Sequence, residues 1–156
     1  MAIRPVNSLS HYTDWTIGHV HAGTLGWVSM IVFGTFYSLV PWMWKVERMY
    51  SRKLVEWHFW LAMAGTLIYV FAMWNSGIIQ GLMWRTYNDG GTLAYSFVDS
   101  LVAMHPYYIA RAVGGFLFFL GPVIGLYNIL MTIRLSRETA GTGIAEMPVV
   151  ALKAGE

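Results

Sequence analysis

Three long runs without a charged residue dominate the hydrophobic pattern of the chain. They cover residues 15–44, 57–84 and 112–133, which are 30, 28 and 22 residues long. A helix needs about 20 predominantly apolar residues to cross roughly 30 Å of hydrocarbon. Each run therefore predicts a transmembrane helix, and the predicted fold class is an all-α integral membrane protein with three such helices.

Charged residues and turn signals divide the chain further. The predicted segments are an N-terminal segment (1–14), transmembrane helix 1 (15–44), a loop (45–53), helix 2 (54–84), a second loop (85–103), helix 3 (104–134) and a tail (135–156). The second loop contains Asn88-Asp89-Gly90-Gly91, a strong turn signal. The tail is rich in small and polar residues, so we expect it to be flexible, with no fold of its own.

The distribution of basic residues predicts the orientation of the helices. Seven of the ten lysines and arginines lie in the first loop and the tail, and three lie on the opposite side. Short loops with an excess of Lys and Arg face the cytoplasm. We therefore expect loop 45–53 and the C-terminus in the cytoplasm, and the N-terminus and loop 85–103 outside.

Composition narrows the possible chemistry. Only 12% of the residues are charged and 56% are apolar, whereas a soluble domain carries about a quarter charged residues. The chain has no cysteine, which excludes disulfides, iron–sulfur clusters and thiolate metal sites. Its five histidines are the remaining soft ligands, and a net charge of +2 gives no indication of a nucleic-acid partner. The opening residues lack the apolar segment of a signal peptide.

The most informative motif is Gly18-His19-Val20-His21, about one turn inside the first predicted span. Polar side chains at membrane depth are costly and tend to be functional. Residues two apart on an α-helix point about 200° apart, so His19 and His21 cannot chelate one metal together. Two haems on opposite sides of the helix would satisfy this geometry, since each haem iron accepts an axial imidazole. The alternative is that each histidine is a hydrogen-bonded packing residue.

A haem held at this depth would lie nearer the outer face, with its propionates directed outward. Asn7, His11 and Arg111 are the candidates to meet them on that side, although Arg111 could equally extend its side chain to the interface. The two remaining histidines are expected to have other roles. We interpret His58 as an interfacial residue near the cytoplasmic end of the second helix, and His105 as a structural residue at the outer edge.

Four sequence motifs resemble the catalytic subunit of the cbb3-type cytochrome c oxidases, members of the haem-copper oxidase superfamily. They are NSLSHYTDWTIGHVH at 7–21, WHFWLA at 57–62, GLMWR at 81–85 and AMHPYY at 103–108. The resemblance extends to about Arg134. It implies a twelve-helix bundle, of which this chain holds the last three helices.

The resemblance also implies roles for individual residues. His19 corresponds to the proximal ligand of the high-spin haem b3, and His21 to an axial ligand of the low-spin haem b. Asn7 and His11 correspond to polar groups near the haem propionates, to which we add Arg111. In this family the copper-binding histidines and the second axial ligand of haem b lie on earlier helices, outside this chain.

Three functions therefore remain open. The first is a piece of a terminal oxidase in the bacterial inner membrane, which reduces oxygen to water with electrons from cytochrome c and pumps protons. Its partners would be the remaining nine helices and membrane-anchored c-type cytochrome subunits. The second is a small b-haem electron-transfer protein, and the third is a non-catalytic remnant or assembly subunit. In each case we expect the isolated chain to have no oxidase activity.

Overall fold

The structure of the protein, a computed structural model, describes residues 3–141, with side chains to residue 139. Within that range the chain is helical apart from its loops, which include an isolated antiparallel bridge between Tyr87 and Leu93. Three stretches are long and apolar enough to cross a membrane. They are Asp14–Met43, Arg52–Met83 and Phe97–Thr139. The predicted all-α membrane fold with three transmembrane helices is confirmed.

The first span is not one uniform α-helix. After a short helix α1 (Arg4–Ser10), it consists of α2 (Asp14–His21), a π-helix, π1 (Ala22–Val28), and α3 (Ser29–Met43). Thr13 caps α2, because its hydroxyl oxygen accepts a hydrogen bond from the Trp15 amide at 3.3 Å. Such caps satisfy one of the amides that the first turn leaves free. The change to π geometry comes directly after His21. Short π-helical segments within α-helices often occur at functional sites.

The second span, α4 (Arg52–Met83), is a single helix. It begins after Ser51, whose hydroxyl oxygen accepts a hydrogen bond from the Leu54 amide at 3.4 Å. This cap accounts for a start two residues before the predicted boundary at 54. The end of α4 at Met83 lies within one residue of the predicted end.

The third span, α5 (Phe97–Gly141), begins seven residues before the predicted boundary at 104. Ser96 and Asp99 form a reciprocal cap at this end. The Ser96 amide donates to Asp99 Oδ2 at 2.9 Å, and the Asp99 amide donates to Ser96 Oγ at 3.2 Å. A capping box of this kind satisfies two free amides, so the helix starts in the semi-polar sequence before the long apolar run.

At its other end α5 continues into the predicted tail. Arg134 pairs with Glu138 one turn later at 2.8 Å, a spacing that supports helices. The Ser136 hydroxyl donates to the Trp44 carbonyl at 2.9 Å, and the Arg137 guanidinium lies 5.0 Å from the centre of the Trp44 ring. Residues 135–141 of the expected flexible tail are therefore helical. Residues 142–156 lie outside the described part of the chain.

The chain divides into two compact units. Among the described residues, unit 1 comprises 3–26 and 64–116, and unit 2 comprises 27–63 and 117–141. Buried apolar residues of unit 1 are Val70, Ala72, Met73 and Met104; those of unit 2 are Phe33, Val46, Met49 and Ala62. Both units also bury polar side chains. Small and polar residues at helix contacts are typical of packing in membranes.

In unit 2 the loop between α3 and α4 is fastened to α5. The Ser51 amide donates to Asn128 Oδ1 at 3.0 Å, and Asn128 Nδ2 donates back to the Ser51 carbonyl at 2.9 Å. The Tyr50 amide donates to Thr132 Oγ1 at 2.9 Å. Asn128 and Thr132 are fully buried. We call this set of contacts the loop latch; it fixes the backbone of residues 50 and 51 without any secondary-structure pairing.

Candidate functional site

The His21 imidazole has one nitrogen bonded to the backbone. Its Nδ1 lies 2.8 Å from the carbonyl oxygen of Ile17, one turn earlier. A neutral imidazole that donates its Nδ1 hydrogen to a carbonyl leaves Nε2 free to bind a metal, an arrangement found in most histidine ligands. The ring centre lies 4.8 Å from that of Tyr69 on α4. His21 is therefore held by contacts on both its own helix and a neighbouring one.

The His19 side chain is exposed and lies flat against Trp15. The two rings are nearly parallel, 8° apart, with centres separated by 5.4 Å. Trp15 in turn stacks on Trp74 of α4 at 6.2 Å and 20°. The stack covers one face of the exposed His19 ring.

The two imidazoles have separate surroundings, as the geometry of α2 requires. The helix is α-helical through His21, so the two side chains point about 200° apart. Within residues 3–139, no group of three or more His, Asp or Glu side chains could hold a metal ion. One imidazole could therefore be offered to each of two separate centres, but this helix could not offer both to one centre.

Of the three residues predicted near propionates, two lie together. Asn7 Oδ1 is 3.1 Å from His11 Nδ1 across one turn of α1, and the edge of the Tyr12 ring meets the His11 ring at 4.2 Å. Arg111 lies on α5, where its guanidinium is 4.9 Å from the centre of the Tyr108 ring. Because α5 starts at Phe97, Arg111 lies about 21 Å along the helix rather than near its beginning.

His58 occupies a different environment from the interfacial position predicted for it. Its side chain is only 4% exposed, and its Nδ1 is 2.6 Å from the Tyr37 hydroxyl. Glycines on α5 provide the space, since a Cβ at Gly125 would overlap the ring and one at Gly121 would lie 3.0 Å from the His58 carbonyl oxygen. The Nε2 atom is buried without a hydrogen-bond partner among the described residues. His105, by contrast, is exposed on α5.

Sequence reasoning did not identify the neighbours of the two ligand candidates. Trp15, Trp74 and Tyr69 all carry aromatic rings that position the imidazoles. The only signal in the sequence was their apolar, aromatic character, which is equally typical of an interfacial belt.

Comparison with known proteins gives a consistent result. Residues 1–117 match the family described as cytochrome C and quinol oxidase polypeptide I. A cytochrome c oxidase subunit 1 homolog from Bradyrhizobium diazoefficiens is 56% identical over 148 residues, which is 95% of this chain and 27% of that protein. The cbb3-type cytochrome c oxidase subunit CcoN1 of Stutzerimonas stutzeri is 55% identical over 147 residues, 94% of this chain and 31% of that protein.

A more distant relative is the cytochrome c oxidase polypeptide 1 of Halobacterium salinarum. It is 25% identical over 134 residues, which is 86% of this chain and 20% of the relative. The chain thus spans between a fifth and a third of the length of these relatives. With its three membrane helices and the family match over 1–117, the chain belongs to the cytochrome c and quinol oxidase polypeptide I family.

Proposed function

We propose that this chain is the C-terminal portion of the catalytic subunit of a cbb3-type cytochrome c oxidase. The complete enzyme would reduce oxygen to water with electrons from cytochrome c and would pump protons. The observation that carries the proposal is the bond from His21 Nδ1 to the Ile17 carbonyl, because it leaves Nε2 free as an axial ligand. The 55% identity to a cbb3-type subunit supports the same assignment.

In this proposal His19 binds the iron of haem b3 and His21 binds that of haem b. The divergent directions of the two side chains on α2 support separate haems. Bound haem would supply the redox-active iron, and haem b3 the position at which oxygen binds. The residues of this chain present the imidazoles and hold their rings: Trp15 stacks on His19, and Tyr69 contacts His21.

The polar residues near the start of the chain have a supporting role in the proposal. Asn7 and His11, which lie within hydrogen-bonding distance of each other, would meet the haem propionates. We keep Arg111 as a third propionate partner because its guanidinium is positively charged. Copper would be bound by histidines in the rest of the catalytic polypeptide.

The exposure of the first span supports a role within a larger assembly. In the most apolar window of Asp14–Met43 only 6% of residues are buried, against 44% in Arg52–Met83. In a bilayer the exposed apolar surface would be covered by lipid or by further helices. We propose that the other nine helices of the catalytic polypeptide, membrane-anchored c-type cytochrome subunits and the bacterial inner membrane provide that cover, with the N-terminus outside.

The test is a reduced-minus-oxidised spectrum of the chain purified in detergent, expressed alone and together with the nine missing helices. We expect b-type haem only on co-expression, and its loss in His19→Ala and His21→Ala. A b-type signal from the chain alone that these substitutions abolish would instead indicate an autonomous electron-transfer protein. A co-expressed complex that keeps both haems in the two variants would contradict the ligand assignment and favour a non-catalytic remnant.

A further inference from the structure

The first turn of α2 is held against α4 by three buried polar residues. Ser76 Oγ donates to Asp14 Oδ2 at 2.8 Å, and the Asp14 amide donates to Gln80 Oε1 at 2.9 Å. Asp14, Ser76 and Gln80, which we call the Asp14 clasp, are 8%, 0% and 9% exposed. Apolar side chains would join two membrane helices without the cost of burying polar groups. The clasp instead adds directional bonds, which specify a position rather than mere contact.

Glycines bring α2 and α4 into direct backbone contact around the clasp. A Cβ at Gly77 would overlap the backbone of Trp15. A Cβ at Gly18 would lie 2.8 Å from Trp74 Cδ1 and 2.9 Å from Met73 Cβ. The two helices therefore lie so close here that a side chain at position 18 or 77 would not fit between them without a shift.

The α-helical geometry of α2 transmits this fixed position to the two histidines. His19 and His21 follow Asp14 by five and seven residues, which is about 7.5 and 10.5 Å along the helix axis. A shift of one residue in register would turn both imidazoles by about 100°. Because π1 begins directly after His21, α2 is a short regular segment with the clasp at one end and irregular geometry at the other.

We propose that Asp14, Ser76 and Gln80 are positioning residues that set the height and rotation of α2, and thereby the direction from which His19 and His21 approach iron. This inference rests on the haem-binding function proposed above. We expect the clasp to act through hydrogen-bond geometry rather than through the charge of Asp14. An asparagine at position 14 can still accept the Ser76 hydrogen bond.

The experiment uses the complete catalytic polypeptide in its purified membrane complex. Ser76→Ala and Asp14→Ala each remove the Ser76–Asp14 bond of the clasp and leave the Asp14 amide bonded to Gln80, whereas Asp14→Asn keeps an acceptor for Ser76. Asn75→Ala is the matched control, since Asn75 is exposed on the same turn of α4 and its side chain bonds the Phe71 carbonyl of its own helix. The readouts are the α-band of the low-spin haem and its midpoint potential, measured on the assembled fraction.

We expect Ser76→Ala and Asp14→Ala to shift the α-band and to change the haem reduction equilibrium about tenfold, which is about 59 mV for one electron. Asp14→Asn and Asn75→Ala should match the wild type. If Ser76→Ala prevents assembly, the nearly isosteric Gln80→Met replaces it in the same measurements, because it removes the acceptor of the Asp14 amide. Clasp variants that lower thermal stability but leave the band and potential of assembled complex unchanged would overturn the proposal.

His21→Ala, measured in parallel, separates this inference from the proposed function. If low-spin haem survives in His21→Ala, the proposed function fails and the inference falls with it. If that haem is lost while the clasp variants remain spectroscopically normal, only the inference fails.

Discussion

Among single residues, His58 and Tyr37 form an enclosed polar contact in unit 2. Their 2.6 Å hydrogen bond lies beside the Phe33 ring, whose centre is 4.2 Å from that of His58. The imidazole cannot turn toward water, because its side chain is only 4% exposed. A buried polar group that loses its partner keeps its desolvation cost, about 1–3 kcal/mol.

Tyr37→Phe should therefore lower the free energy of unfolding by about 1–3 kcal/mol, measured by denaturation of the membrane complex in detergent. Tyr127→Phe is the control, since Tyr127 is 53% exposed and should be within about 0.5 kcal/mol of wild type. The double variant Tyr37→Phe/His58→Leu should recover part of the loss, because it removes both polar groups. Equal stabilities of Tyr37→Phe and Tyr127→Phe would contradict this account.

The sequence identified His19 and His21 because a two-residue spacing inside an apolar run is unusual and has a definite geometric meaning. Their assignment as ligands stays a prediction. The burial of His58 could not be predicted in the same way. It depends on Gly121 and Gly125, more than 60 positions away in the chain, and periodicity does not reveal which glycines face a given histidine.

At the level of elements, the uncharged runs predicted the three spans because the length of a membrane helix is set by the bilayer. The ends of the spans were harder to predict from the sequence. The start of α5 depends on the reciprocal bonds of Ser96 and Asp99, and its extension to Gly141 on contacts with Trp44. The π-helix Ala22–Val28 had no recognised signal in the sequence.

Removal of the α5 cap should loosen the first turns of that helix. We expect Asp99→Ala to cost about 1 kcal/mol and to accelerate amide hydrogen exchange over residues 97–101. Asp89→Ala, on the preceding exposed turn, is the control for a change of the same type. Unchanged exchange in Asp99→Ala would mean that packing, not the cap, determines where α5 begins.

Contact between α4 and α5 in unit 1 depends on Gly114. A Cβ there would lie 2.7 Å from the Tyr69 nitrogen and 2.8 Å from the Gly65 oxygen, whereas one at Gly34 on α3 would meet nothing within 4 Å. Both substitutions to alanine gain helix propensity. Gly114→Ala should nevertheless destabilise the complex by about 1–3 kcal/mol in detergent denaturation, and Gly34→Ala should not. A stabilised Gly114→Ala would show that the two backbones can separate at little cost.

At the scale of the whole molecule, the unequal burial of the spans is the main feature. The span that carries both ligand candidates is the least buried of the three, so it depends most on protein or lipid outside the chain. We therefore expect no oxygen consumption by the purified chain alone, measured with an oxygen electrode and reduced cytochrome c. Activity in that preparation would contradict the proposed dependence on the remaining helices.

The predicted orientation can be tested directly because the chain has no cysteine. Single cysteines at the exposed positions Glu47 and Asp89 report on the two loops. In intact spheroplasts a membrane-impermeant maleimide should label Asp89→Cys and not Glu47→Cys, and lysis should make both reactive. The reverse pattern would place loop 45–53 outside.

The loop latch has a consequence for the order of events during synthesis. Ser51 and Asn128 are separated by 77 positions, and at about 5–20 residues per second a ribosome needs roughly 4–15 s to pass from one to the other. Until Asn128 has been made and inserted, the Ser51 amide and carbonyl can bond only to water or to other transient partners. The loop between the first two spans is therefore synthesised early, but its bonds to α5 form only after Asn128 has been inserted. A protease that acts during translation would find this loop accessible for those seconds and protected afterwards.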